Sequence, residues 1–240
     1  MVRDKQTEKS FRDKWNNNKL FAFKETQDPN SFILNWILTR NGFGNIQDLR
    51  NSLKGKRRIL DAGCGNGRVT KLIRDSSPAE TEVVGFDLTS ADVARSNLSS
   101  EKNLKIYTKD LSDDLSSLGK FDLIYCQEVL HHTPNPKKSF NNLCNILSKD
   151  GEIWIYVYRV KAPAREFLDD YIRKKISLMD YDSAFNNLKQ ITNLGKVLSE
   201  TNIEITIPDV DLLEIKAGTY SLQRFLYHHF FKCFWNEEFS

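Results

Sequence analysis

Between Lys56 and Tyr158, short β-branched and apolar runs alternate with longer stretches of helix-like pattern, the order expected of βαβ units and a parallel sheet. The runs predict strands at Arg57–Asp61, Glu82–Asp87, Leu104–Thr108, Phe121–Cys126 and Glu152–Tyr158. The intervening segments carry helix starts: Thr89-Ser90-Ala91-Asp92 resembles a capped start, and Asn135-Pro136 sets a cap residue before a proline at the first helical position. The helix opened at Pro136 is predicted to end near Lys149-Asp150-Gly151, a turn feeding the last strand. The expected core is α/β, a doubly wound, mostly parallel sheet.

The flanks differ from this core. Residues 1–55 are polar with Phe11, Trp15, Phe21, Phe23, Phe32 and Trp36 spaced among charges, and are predicted to form a helical cap packed on a core at residues 56–160. Residues 161–240 are mostly helical in pattern, an insertion or substrate cap in which either the chain stops early or the insertion displaces the closing strands, interrupted by the strand-like alternation Ile203-Glu204-Ile205-Thr206-Ile207. The aromatic run Phe225-Leu226-Tyr227, Phe230-Phe231 and Phe234-Trp235 is read as a buried face of that cap and not as a membrane-surface helix.

At 240 residues and 40% hydrophobic content the chain can bury a real interior. A formal charge of +3 is small for this length, which disfavours nucleic acid as a partner. No apolar run approaches the roughly 18 residues that cross a bilayer, and the start Met1-Val2-Arg3-Asp4-Lys5 leads into polar sequence, so a cytoplasmic location is expected. Cys64, Cys126, Cys144 and Cys233 show no C-x-x-C spacing and are expected to be reduced thiols; nothing calls for a metal.

The chemistry concentrates where the first strand runs into Asp61-Ala62-Gly63-Cys64-Gly65-Asn66-Gly67-Arg68. Glycines let the chain turn sharply and let a ligand approach bare backbone, and the helix that follows presents unpaired N–H groups to an anionic group. A dinucleotide site prefers G-x-G-x-x-G, whereas the spacing here is D-x-G-x-G-x-G. Acids follow the next two strands, Asp87 after Val83-Val84-Gly85-Phe86 and Asp110 after Lys109; the fourth strand runs into Gln127-Glu128-Val129-Leu130-His131-His132.

This ordered set resembles the motifs of class I S-adenosylmethionine-dependent methyltransferases. The segments Tyr156 to Phe167 and Tyr220 to Asn236 look like a bacterial subgroup of small-molecule methylases. The resemblance implies S-adenosylmethionine as cofactor. Its methionine moiety would be held at Asp61, Gly63, Cys64, Gly65, Asn66 and Gly67, both ribose hydroxyls by the Asp87 carboxylate beside Leu88, and the adenine amino group by Asp110 beside Leu111. Gln127 would pass beside the sulfonium. No N/D-P-P-Y element is present and no proline precedes Cys126, which argues against amino-methylating and cytosine-C5 nucleic-acid enzymes. The implied acceptor is an oxygen or nitrogen of a small metabolite.

His131 and His132 are candidate general bases. Arg159, Arg165 and Arg224 are candidates for gripping an anionic acceptor through the guanidinium fork. Two rival readings are a catalytically silent cofactor-binding subunit and an NAD-dependent oxidoreductase or epimerase. In the family the sheet closes with an antiparallel pair after the fifth strand, and only Ile203–Ile207 offers a candidate for it.

Overall fold

The computed structural model describes residues 2–233 and Trp235, with the side chains of residues 2–4 left aside; Phe234 and Asn236, named above, lie outside the described residues. The chain divides into two compact units, one ending at Tyr158 and one beginning at Arg159.

The first unit is built on five parallel strands: β1 (Arg58–Ala62), β2 (Glu82–Asp87), β3 (Leu104–Thr108), β4 (Phe121–Gln127) and β5 (Leu147–Tyr156). Their order is β3-β2-β1-β4-β5, so β1 lies between β2 and β4 and the winding reverses beside it. Alternation along β1 splits the core. Ile59 faces one side with Val83, Leu123 and Tyr125; Leu60 and Ala62 face the other with Val84, Phe86, Ile124 and Cys126.

The first face is covered by α2 (Phe32–Arg40), α3 (Ile46–Leu53) and α4 (Arg68–Ser76). In α2, Ile33, Leu34, Ile37 and Leu38 recur at helical spacing and are all buried, each contributing about 1.5–3 kcal/mol. Ser31 caps this helix, its hydroxyl accepting from Ile33 N at 2.9 Å, and Asn45 caps α3 in the same way. Residues 1–55 therefore belong to the same unit as the sheet. Beside α4 runs α5 (Ala91–Asn97), its Ala94 next to Gly67, and the other face is covered by α6 (Pro136–Cys144) and the buried Leu111, Leu115 and Leu118. Ahead of these helices α1 spans Val2–Asn17.

Strand limits differ from expectation by one or two residues in β1, at the end of β4 and at the end of β5, and further between α6 and β5. The helix opened by the Asn135 cap and Pro136 ends at Cys144, and Lys149-Asp150-Gly151 lies inside β5 instead of forming a turn. The pairing of β4 with β5 shifts register between Phe121 and Leu123, so β5 absorbs the turn-prone residues as an irregularity at the sheet edge.

The second unit contains α7 (Pro163–Ile176), α8 (Tyr181–Glu200), β6 (Glu204–Ile207), β7 (Gly218–Ser221) and α9 (Leu222–His229). The strand expected at Ile203–Ile207 is β6. It pairs antiparallel with β7 in a separate two-stranded sheet and does not extend the five-stranded one. The aromatic residues Phe225, Tyr227, Phe230 and Phe231 are only partly buried. All four cysteines are free, and no helix among the described residues is long and apolar enough to cross a membrane.

Candidate functional site

The turn after β1 is held open by backbone conformation. Gly63, Gly65 and Gly67 have φ of +84°, +57° and +87°, the left-handed region that side chains disfavour. A Cβ on Gly63 would stand 2.4 Å from Val129 Cγ2, and one on Gly65 would stand 2.9 Å from Trp15 Cζ2. The N–H groups of Gly63 and Cys64 both donate to Phe86 O, at 2.8 and 2.9 Å, tying the turn to β2. Gly67 then caps α4 with no side chain of its own; Asn66 Oδ1 accepts from Arg68 N at 3.3 Å, and the N–H groups that follow stay open to a ligand. Gly63→Ala is expected to lower stability by about 2 kcal/mol or more through strain and the Val129 clash. Thermal unfolding checks this, and a variant as stable as the parent would show that the turn relaxes freely.

Above this turn, at the carboxyl ends of β1, β2 and β4, lies a cavity of about 240 Å³. Its wall includes Asp61, Gly63, Cys64, Gly65, Asn66, Asp87, Leu88, Asp110, Leu111 and Gln127, which the sequence nominated, together with Thr89, Lys109 and Glu128. Asp61 is 3% exposed, its Oδ2 accepts from the Thr70 hydroxyl at 2.6 Å, and burial pushes its carboxyl up to about 7. Asp87 does more structural work than its position implied. Its Oδ1 accepts from Thr89 N, Thr89 Oγ1 and Ser90 N at 2.8, 3.1 and 3.0 Å, and its Oδ2 accepts from Gly65 N at 3.0 Å. With about two lone pairs per oxygen, Oδ2 alone has room for a ribose hydroxyl. Asp110 Oδ1 accepts from Ser112 N at 2.7 Å and leaves its other oxygen for a donor.

The Asn66 side chain turns toward the N-terminal segment. Its Nδ2 donates to Lys19 O at 3.1 Å and Phe21 O at 3.0 Å, and Asn97 Nδ2 donates to Lys19 O at 3.0 Å and Asn66 O at 2.9 Å. These bonds strap the chain after α1 to the glycine turn, and α1 adds Thr7, Glu8, Phe11, Lys14 and Trp15 to the cavity wall.

A polar network along the same wall joins Gln127 and Glu128 of the fourth motif to Arg40, Asn41 and Tyr125, which sequence reading missed. The Arg40 side chain, 7% exposed, stacks over Trp36 at 4.1 Å and Tyr156 at 5.1 Å, and Nη1 lies 3.2 Å from Glu128 Oε1. Arg40 Nη2 donates to Tyr125 OH at 3.2 Å, and that hydroxyl donates to Gln127 Oε1 at 2.8 Å. Gln127 Nε2 in turn donates to Asn41 Oδ1. Glu128 adopts φ +63°, a left-handed conformation at the end of β4, and its side chain lines the cavity. Arg68, its pKa lowered mainly by burial and supported by Glu128, lines the wall beside Asp61. Arg40 sits at the end of α2, distant in sequence from every motif, and no local pattern marks it.

The two candidate histidines separate. His132 lines the cavity, its ring edge-on to Phe11 at 4.9 Å between centroids. His131 packs between His132 and Tyr158 at 4.1 and 4.2 Å; both its ring nitrogens are buried without hydrogen bonds, and burial lowers its pKa. Arg159, Arg165 and Arg224 are not in this wall and belong to the second unit.

A family model described as a methyltransferase domain matches residues 38–206. The chain belongs to that family. Domains of this class take their methyl group from S-adenosylmethionine, and a glycine cradle ending in a helix start, with three acids beside it, fits that cofactor's charged and hydroxyl groups. Among curated relatives, the ubiquinone biosynthesis O-methyltransferase of Bordetella avium is 30% identical over 150 residues, 61% of this chain and 56% of the relative. That of Rickettsia bellii is 25% identical over 224 residues, 87% of this chain and 80% of the relative. In its match to the first of these, the methyltransferase domain spans little more than half the relative's length. The N-methyltransferase NodS from Bradyrhizobium japonicum, crystallised with S-adenosylhomocysteine, aligns with a TM-score of 0.42 at 17% identity over 57% of this chain and 72% of that one. An O-methyltransferase family protein from Burkholderia thailandensis gives 0.44 at 16% identity over 52% and 41%.

Proposed function

We propose that this chain is a methyltransferase that moves the methyl group of S-adenosylmethionine to an oxygen or nitrogen of a small acceptor. The observation that carries the reading is one cavity at the reversal of strand order, with Asp61, Asp87, Asp110 and the glycine turn in its wall and His132 at its rim. When bound, the cofactor supplies an electrophilic methyl group on a sulfonium. Asp61 would face the ammonium of the methionine moiety, the start of α4 its carboxylate, Asp87 Oδ2 a ribose hydroxyl, and Asp110 the adenine amino group. The names of the relatives support oxygen as the acceptor atom.

The remaining residues position the acceptor and keep out water. The ion contact of Arg40 with Glu128, fixed by Trp36, Tyr156 and Tyr125, makes a rigid polar wall, and Phe11 and Trp15 on α1 add an apolar one. Holding donor and acceptor in line in a dry site supplies most of the rate enhancement. His132 at the rim accepts the proton of an acceptor hydroxyl. His132→Ala is expected to lower kcat about 100-fold with S-adenosylhomocysteine affinity unchanged, whereas His131→Leu leaves kcat within about threefold. Equal losses in both variants would assign the histidines a packing role.

The experiment that tests the activity is calorimetric titration with S-adenosylmethionine, S-adenosylhomocysteine and NAD, followed by transfer of labelled methyl groups into a metabolite extract. Micromolar affinity for the first two and labelled product support the reading. Binding without product favours a silent subunit, and binding of NAD alone overturns it.

A further inference from the structure

The arginines that sequence reading nominated converge within the second unit, together with cations it did not nominate. Arg165, on α7, is 1% exposed. Its Nε donates to both oxygens of Asp169 at 2.9 Å and its guanidinium lies over the Tyr227 ring at 4.8 Å. Among the described residues its two Nη groups have no hydrogen-bond acceptor, although the side chain is 2% exposed. Asp169 is shared with Lys161, whose ammonium lies 3.4 Å away. One carboxylate thus serves two cations.

Further positive charge gathers around this pair. Arg159, Arg224 and Lys232 have no carboxylate within ion-pair distance among the described residues, and Arg173 is matched by Asp170. Gln223 Nε2 donates to Cys233 O at 2.7 Å, which fixes the chain after α9 beside the helix and with it the neighbouring Lys232. The charges sense one another. Burial lowers the Lys232 pKa first, with Lys161, Arg165 and Arg173 adding to the fall against Asp169; His228 is lowered by burial and then by His229, Arg224, Arg165 and Arg159. Folding gathers like charges at an electrostatic cost, around a buried guanidinium that retains free donors. A stacked guanidinium with free Nη groups presents a planar fork suited to an oxyanion.

We propose that the second unit carries a binding site for a phosphate or carboxylate group, held by the free Nη groups of Arg165 with Lys232 and Arg224. The bound anion supplies the negative charge that this cluster lacks among the described residues. The group belongs either to the methyl acceptor or to a separate small metabolite. This proposal stands apart from the methyltransferase reading.

The test is calorimetric titration of the full chain with inorganic phosphate, at an ionic strength held constant with sodium chloride. Saturable millimolar or tighter binding is expected, with a rise in unfolding temperature that chloride alone does not produce. Lys232→Gln combined with Arg224→Gln should weaken phosphate at least tenfold while leaving S-adenosylhomocysteine affinity unchanged. Arg165→Lys keeps the charge and loses the fork, and should weaken phosphate as well. Absence of saturable binding, or binding equal in parent and variants, overturns the proposal. Where the site is present, inhibition of methyl transfer by phosphate assigns the group to the acceptor, and undiminished transfer assigns it to a separate anion.

Discussion

Asp61→Asn is expected to weaken S-adenosylhomocysteine binding at least 100-fold and, in the free protein at pH 8, to raise stability by about 2–4 kcal/mol. The two effects share a cause. The Asp61 carboxyl is 3% exposed and raised from 3.8 to about 7, chiefly by burial, with nearby Asp87 adding to the rise and the Thr70 hydroxyl and Arg68 opposing it. A carboxyl with a raised folded pKa contributes its stability fully below the unfolded value. That contribution is lost as pH rises through the folded value, because the unfolded chain releases its proton more readily.

Between about pH 4 and 7 the parent should therefore lose stability relative to the asparagine variant, which keeps an acceptor for the Thr70 hydroxyl without the charge. A ligand ammonium reverses the balance by pairing with the ionised form, so parent affinity should fall as pH drops below about 7. Unfolding temperatures at pH 5 to 8.5, with and without ligand, check both signs. A variant less stable than the parent at pH 8 would mean that Asp61 is already neutralised by a contact in the free protein.

Asp87→Ala should move stability the opposite way. Removing this carboxylate takes the acceptor from Gly65 N, Thr89 N and Ser90 N together, and each orphaned, partly buried N–H costs about 1–3 kcal/mol. With some of the loss recovered by water, the unfolding temperature is expected to fall by about 5–10 °C. Cofactor affinity should fall at least 100-fold, because the glycine turn and the loop after β2 lose their common anchor along with the proposed ribose contact. Asp87→Asn keeps one acceptor and sets an NH₂ group against Gly65 N, so it should fall between the two. An alanine variant that binds the ligand as the parent does would remove Asp87 from the site.

How much was legible in sequence follows from the range of the forces involved. β2 and β3 occur at their predicted limits, Glu82–Asp87 and Leu104–Thr108, since a β-prone run between turn signals is a local pattern. The glycine turn and its acids were equally legible, because positive φ and a strand-end carboxylate are written in adjacent residues. β5 was placed late because it carries a Lys-Asp-Gly segment that reads locally as a turn; β3, the other edge strand, has no such segment. β7, Gly-Thr-Tyr-Ser, has no apolar alternation and exists through its pairing with β6.

The sequence by itself determined the alternation of strands and helices, the glycine turn after the first strand and the acids at the strand ends. Only the tertiary structure decided that Arg40 faces Glu128, that Asn66 holds the N-terminal strap, that His132 and not His131 lines the cavity, and that Arg159, Arg165 and Arg224 gather in the second unit. The reason is physical. Backbone conformation and strand burial are set by neighbours along the chain, whereas the partner of a long charged side chain is set by which helix ends the packed core brings together.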